Sequence, residues 1–342
     1  MKDPIITGIL AYGMSGRLFH APFIELHPGF KFHAVVERSR KVAAEKFPSV
    51  KSYDSVDDIF KDDEIEFVIV NTPSYTHYDY AKKALLAGKH VLIEKPFACS
   101  ATEAKELFEI AKKAGKNVMA YQNRRWDSDF NSIKHVLESG KLGKLIEVNF
   151  RWDRYQKALS PKRYKELPEP GNGISYDLCS HLLDQVITLF GKPLKSTKIL
   201  NRYRPDTLTD DYAHFHLIYP HQLNVYVTAS LLTANPLPSF VFHGTDGTFI
   251  KKRTDIQEDQ LNAGVTPLDK EYGIEPEGSE GSLTRIDADG NKITESIIAP
   301  KGDYTKLFDA VYEQIRNNVP YPIKHEDTLH QMELLDQPAI QI

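Results

Sequence analysis

Residues 5–16 read IITGILAYGMSG, an apolar run from Ile5 to Leu10 that breaks directly into Ala11-Tyr12-Gly13-Met14-Ser15-Gly16. A short run that is apolar on both faces suits a strand covered by helices, as in a parallel sheet. The break is G-x-G-x-x-G with alanine in the first place. Glycines at these positions allow a tight turn and let backbone amides approach a pyrophosphate, whose charge the following helix N-terminus favours. Taken alone, the pattern also suits a plain turn. Its setting adds weight, because it follows the first strand, opens a helix, and is followed about 20 residues on by a second strand end at Glu37-Arg38-Ser39. Glu37 can accept hydrogen bonds from an adenosine ribose, which is the NAD arrangement. Arg38 and Ser39 can instead bind the extra phosphate of NADP, with the guanidinium stacked on adenine. A solvated strand end is the third option, and the reading favours NADP over NAD.

Working outward, short β-branched runs alternate with amphipathic stretches up to about Gln122, which is a βαβ rhythm. Phe32 to Val36, Phe67 to Val70, His90 to Ile93 and Asn117 to Tyr121 join the first run as expected strands. Gly88 and Gly115 read as helix C-caps, and Ser100 or Thr102 as the N-cap of the helix between them. After Trp126 the rhythm changes. A helix over Asp129 to Glu138 leads into the strand LIEVNFRW, a Pro-rich charged loop spans Lys157 to Pro170, and one strong helix runs from Ser175 to Phe190. Mostly strand-like text follows, which predicts a largely antiparallel sheet. Residues 255–291 read as excursions at that sheet's edge. The expected fold is therefore α/β: a doubly wound Rossmann domain over residues 1–122, and an α+β domain with a large open-faced sheet over residues 123–342. The C-terminal tail is expected to pack back on the first domain.

Composition narrows the function. With 342 residues, two domains are the better expectation. A net charge of −4 is too mild for a nucleic-acid or membrane-surface partner. No apolar run approaches the ~20 residues of a membrane helix. Cys99 and Cys179 stand far apart and in no metal-ligand spacing, which fits a reducing cytoplasm, as does the absence of a signal-peptide pattern.

Ligands of a doubly wound sheet lie at the carboxyl ends of its strands. Two of those ends carry Asn71-Thr72-Pro73 and Glu94-Lys95-Pro96. A lysine placed there can hydrogen-bond a substrate oxygen and stabilise charge developing on it, and a cis Pro96 would aim it inward. The alternative leaves Lys95 in solvent and makes Glu94 a helix cap. In the second half, Asp177 and His181 are four apart on a helix and so share a face with Ile174, Leu178 and Gln185. A carboxylate beside an imidazole makes a general acid/base unit, although an Asp in the first helical turn followed by chance by a His is equally a reading of the stretch. His214-x-His216 has no third ligand nearby, so no metal is expected. His20 reads as a packed or capping residue, and Tyr155 and Tyr176 could line a sugar pocket.

Together, GMSGRLFHAPFI, VIVNTPSYTHY, GKHVLIEKPF, YQNRRWDSDF and YDLCSHLLDQ resemble the Gfo/Idh/MocA oxidoreductase family over nearly the whole chain, and within it the NADP-dependent scyllo-inositol 2-dehydrogenases. The resemblance implies Lys95, Asp177 and His181 as the catalytic set, with Tyr155 beside them at the substrate. It implies cofactor contacts from the loop Ala11 to Gly16 and from Thr72, Pro73, His77, Glu94 and Lys95, with Asn123, Trp126 and Lys165 nearby. Two departures stand out: Ala11 replaces the first glycine, and Tyr164-Lys165 replaces Trp-Arg, losing the planar fork. The implied reaction moves a hydride between a nicotinamide and a polyol or sugar, with an inositol as the first expectation. A different sugar substrate, or a non-catalytic sensor of the same fold, is the alternative. An open sheet face predicts a homodimer or homotetramer.

Overall fold

Strand β1 (Ile5–Ile9) lies at the centre of a six-stranded sheet in the computed structural model, which describes residues 3–340. The chain leaves β1 through the glycine loop and a π turn at Gly16–His20 that continues into α1 (Ala21–Leu26). Next come β2 (Phe30–Val36), α2 (Ala43–Lys46), β3 (Lys51–Tyr53), α3 (Val56–Lys61), β4 (Phe67–Val70), α4 (His77–Leu86), β5 (His90–Ile93), α5 (Ala101–Ala114) and β6 (Val118–Ala120). The strands are all parallel in the order β3-β2-β1-β4-β5-β6, so the order reverses between β1 and β4, where a doubly wound sheet opens its crevice. Phe67, Val68, Ile69 and Val70 are wholly buried, and so are Val91, Leu92 and Ile93. Each such side chain contributes about 1.5–3 kcal/mol of hydrophobic free energy. Ser100 caps α5 through the Glu103 amide, the Glu103 carboxylate returns to the Cys99 amide, and Gly115 ends the helix in the left-handed region. The pattern resembles a capping box, with the carboxylate bonded one residue before the cap.

The second compact unit takes in Arg124–Asp259, Glu271–Asp303 and the residues from Glu333 on. It contains α6 (Ser128–Glu138), β7 (Leu145–Asp153), and α7 (Ser180–Phe190) entered through a second π turn at Ser175–Cys179. β8 (Lys195–Asn201), β9 (Tyr212–Ile218), β10 (Asn224–Ser230), β11 (Phe240–Gly244), β12 (Gly247–Lys251), the start of α8 (Ile256–Asn262), β13 (Gly281–Ile286) and β14 (Lys292–Ile297) follow. The sheet order is β14-β13-β12-β11-β7-β10-β9-β8. Every neighbour pair is antiparallel except β7 with β10, which bear the parallel register Val148 with Val225 and Phe150 with Val227. The mostly antiparallel open sheet agrees with the sequence reading.

The reading of residues 255–291 as edge excursions does not hold: they contain helix α8 and strand β13. Gly281 opens β13 against Phe249, whose ring a Cβ there would meet at 2.4 Å. A glycine in a strand can mark close approach as well as a bend.

The first unit also includes Gln260–Lys270 and Tyr304–Met332, so it is not one continuous stretch of chain. Helix α9 (Thr305–Asn317) stacks Phe308 on Phe23 at 5.2 Å and pairs Arg316 with Glu66 through two bonds of 2.9 Å. Within the first unit, the ring of His325, which opens α10 (His325–Asp336), stacks on Phe108 at 4.0 Å.

Candidate active site

The glycine loop is shaped from below. A Cβ on Gly16 would fall 2.2 Å from the Ala11 carbonyl oxygen, so only glycine lets the π turn start there. Gly13 differs: a Cβ on it would meet nothing within 4 Å, leaving an open cradle above the loop. Open space above a glycine turn that leads into a helix N-terminus suits a dinucleotide diphosphate. Tyr12 and Ser15 are half-buried and Met14 is exposed at the same rim. Asn71, at the end of β4, is committed inward. Its side chain donates to the Ala11 carbonyl at 2.8 Å, accepts from the Ala11 amide at 2.9 Å and reaches the Ser15 hydroxyl at 3.4 Å. Asn71 thus builds the loop from its protein side.

At the end of β2, the Glu37 carboxylate is drawn into the fold. Glu37 is buried and accepts from the Val42 and Ala43 amides at 2.8 and 3.1 Å and from the Ser52 hydroxyl at 2.7 Å. These bonds cap α2, whose first amides need an acceptor. Arg38, Ser39 and Arg40 stand exposed beside it.

Two histidines brace the next two strand ends. His77 is buried with Nδ1 2.8 Å from the Pro96 carbonyl and Nε2 2.8 Å from the Thr72 carbonyl, so its ring ties the loop after β4 to the loop after β5. Burial holds the imidazole below its usual range, although both carbonyls favour the charged form. Thr76 secures the same loop by bonding the Pro73 carbonyl and the Thr72 hydroxyl, each at 2.6 Å. His20, wholly buried, places Nε2 2.8 Å from Glu94 Oε1, and its ring packs on Tyr121 at 4.5 Å. The other Glu94 oxygen accepts from the Lys95 amide at 3.1 Å. Burial alone would raise the Glu94 pKa, but the His20 bond and the charges of His20 and Lys95 together hold it below the usual carboxylate range. The helix-cap alternative for Glu94 falls, because Ser100 is the cap. The Lys95-Pro96 bond is cis, as anticipated, and Lys95 is half-buried.

In the second unit, Asp177 sits in the π turn and His181 in the first turn of α7. Insertions of this type recur at functional sites. Gly173, at φ +91°, lies so close to Asp210 that a Cβ would fall 2.0 Å from its carboxylate, and Asp210 accepts from the Ser175 amide at 2.8 Å. That contact anchors the turn. Ile174, Leu178 and Gln185 are buried on the helix, as the shared face required. Lys165 stands 3.3 Å from both oxygens of Asp177, which places this expected cofactor contact against the aspartate. His181 is buried with its ring centroid 5.7 Å from that of Trp152. Trp152 in turn carries the guanidinium groups of Arg253, Arg124 and Arg154 at 4.1, 5.0 and 5.2 Å.

Asn123 is buried in the first unit, and the Trp126 carbonyl is held by Gln257 and by the Asp303 amide. Tyr155 is largely exposed and joins Leu232 by an isolated bridge. Sequence reasoning passed over Arg125 and Asp184, a buried bidentate pair at 2.9 and 2.7 Å that fixes α7 to the Arg124-Arg125 turn. The signal was there in two adjacent arginines before an acidic residue one turn beyond His181.

His214 and His216 both stack on Tyr226 and bond to Thr228 and Asn224. Among the described residues, the group with metal-like spacing is His33, Asp62 and Glu64, where the Lys51 ammonium already lies 3.0 Å from Glu64 and 3.7 Å from Asp62. Burial pushes the Cys99 thiol up to about 12 and Cys179 well above its usual value, so neither is poised as a nucleophile. No helix among the described residues is long and apolar enough to cross a membrane.

A doubly wound fold with a glycine loop at the end of its first strand, followed by a second α/β unit, is an architecture of dinucleotide-binding proteins. Residues 5–122 match the oxidoreductase family with an NAD-binding Rossmann fold, and residues 134–338 match its C-terminal alpha/beta domain. The chain belongs to the Gfo/Idh/MocA oxidoreductase family. It is 37% identical to the oxidoreductase C115.03 of Schizosaccharomyces pombe over 95% of this chain and 94% of that protein. It is 33% identical to scyllo-inositol 2-dehydrogenase (NADP(+)) IolW of Bacillus subtilis, covering 98% and 92%. The solved structure of the oxidoreductase yvaA from Bacillus subtilis superposes with a TM-score of 0.93 at 32% identity, over 98% of this chain and 95% of that one.

Proposed function

We propose that this oxidoreductase is NADP-dependent and acts on a hydroxyl or carbonyl carbon of a polyol or sugar. The observation that carries the reading is the bracing of the Glu94-Lys95-Pro96 loop: His20, His77 and the Lys95 amide commit the polar atoms around Lys95, so the ammonium stands on a fixed base. Fixed charge aimed at a reacting oxygen needs no reorganisation during the reaction. Bound in the glycine cradle, the dinucleotide would supply or accept a hydride at its nicotinamide. Lys95 hydrogen-bonds the reacting oxygen and stabilises negative charge on it. His181 takes the proton of the reacting hydroxyl in one direction and returns it in the other, and Asp177 orients that exchange. Gly13, Gly16, Thr72 and Pro73 form the cofactor floor.

NADP is favoured because Arg38, Ser39 and Arg40 are exposed at the end of β2, while three donors within the fold hold the Glu37 carboxylate inward. The likeness to an NADP-dependent inositol dehydrogenase supports the same choice. The outward face of the eight-stranded sheet, with His214, His216 and Tyr226 half-buried, supports self-association through that face into a homodimer or homotetramer. The test is a panel of inositols and aldoses with NADP and with NAD, read by the absorbance of the reduced nicotinamide. Turnover with NADP and at least one polyol or sugar is expected. Cofactor binding with no turnover of any polyol or sugar would overturn the reading.

A further inference from the structure

The strap between β7 and the Asp177 turn differs in charge from the rest of the protein. The whole chain carries −4, yet residues 151–165 hold Arg151, Arg154, Lys157, Lys162, Arg163 and Lys165 against the single carboxylate Asp153. Asp153 is taken by Arg151 at 2.9 Å. Glu166, next in the chain, is held by Arg204 and Thr207 at 3.0 Å each. Glu169 lines a cleft of about 530 Å³ with Asn172, Arg202 and Asp210. Arg154, Lys157, Lys162 and Arg163 are exposed and have no ion pair among the described residues.

Surface lysines are most often simply solvated. Here one of the cations touches the candidate acid/base turn and another lies over an aromatic ring that flanks it. Lys165 contacts Asp177 at 3.3 Å in a loose pair whose members are 40% and 45% exposed, so water screens it heavily. Arg154 lies over the Trp152 ring, the same ring that flanks His181. A local positive field on a net-negative protein attracts anions to one place and repels them elsewhere.

We propose that the strap is an anion seat and that the substrate is an acidic sugar or polyol, bearing a carboxylate or a phosphate held by Arg154 and Lys165. The charged end of the substrate rests on these two groups and leaves a hydroxyl-bearing carbon near His181. Lys157, Lys162 and Arg163 add long-range attraction. The assignment of the reacting carbon rests on the hydride-transfer reading above; the anion preference does not.

The experiment compares matched probes on the intact protein with NADP present: glucose, glucuronate and a hexose phosphate, and myo-inositol with an inositol monophosphate. Binding is read by calorimetry and turnover by nicotinamide absorbance. A charge-assisted hydrogen bond adds about tenfold or more in affinity, so the acidic member of at least one set should bind at least ~10-fold tighter than its neutral counterpart. Raising the salt concentration and the double change Arg154→Gln with Lys165→Gln should each collapse that ratio. Preference for glucuronate or for a phosphate ester identifies which anion the seat takes. Neutral probes that bind as well as acidic ones, or a ratio untouched by the double change, would overturn the anion seat. Acidic probes bound preferentially but never oxidised or reduced would uphold the seat and overturn the hydride reading alone.

Discussion

At the ends of β4 and β5, both oxygens of Glu94 and both ring nitrogens of His77 have partners inside the fold, whereas the strap from Arg154 to Lys165 leaves four cations in solvent with no counter-ion among the described residues. The first region is a scaffold whose geometry is set before any ligand arrives. The second is a charged, largely solvent-facing surface. A cofactor shared by many reactions suits the former, and a variable substrate suits the latter. Changing the braced region should therefore alter rate and stability, and changing the strap should alter selectivity.

The largest expected effect lies in the braced region. Lys95→Ala should lower turnover with the best substrate by at least ~100-fold, the scale of lost electrostatic catalysis, and His181→Ala by a similar factor through lost proton transfer. Near-normal turnover in either variant would remove that residue from the catalytic set.

The two loop glycines sharpen the contrast between fold and ligand. Gly16→Ala forces a Cβ against the Ala11 carbonyl and should destabilise the free protein by about 1–3 kcal/mol, read by urea unfolding. Gly13→Ala meets open space and should leave stability within about 0.5 kcal/mol while weakening NADP binding. Equal stability losses at the two positions would contradict the cradle.

A smaller effect is expected from Arg38→Ala, which should weaken NADP by about tenfold, as for one lost charge-assisted contact, and leave NAD nearly unchanged. Equal losses for both cofactors would remove Arg38 from the phosphate site.

The smallest and most specific effect is on acid stability. Because the folded-state pKa of Glu94 lies below its unfolded value of 4.5, its stabilising contribution is complete above that pH and fades as pH falls from there through the lower folded value. Glu94→Gln should flatten this part of the stability curve, and an unchanged acid limb would show that the His20 pair contributes nothing there.

Much of the first unit was legible because its strands are apolar on both faces and its glycine loop has a fixed physical purpose. Lys95 and its proline were readable from their place after a buried strand. The capping role of Glu37 was not: its type and position suit a ribose contact, and only the folded chain shows the Val42 and Ala43 amides that it also accepts from. Strand β13 was hidden by a glycine that serves packing, and α9 by its late position, because nothing local in Thr305–Asn317 announces that Phe308 stacks on Phe23. The Arg125–Asp184 pair joins residues 59 apart, a separation that no short motif spans.

The proposed exchange of a hydride between a polyol or sugar and NADP depends on Lys95. Its most direct test is nicotinamide absorbance followed for wild type and Lys95→Ala side by side with the best probe of the panel. The account predicts clear NADP-linked turnover in the wild type and a loss of at least ~100-fold in the variant, with cofactor binding retained in both. Turnover that survives the loss of Lys95, or a wild type that binds NADP and turns over no polyol or sugar, would contradict it.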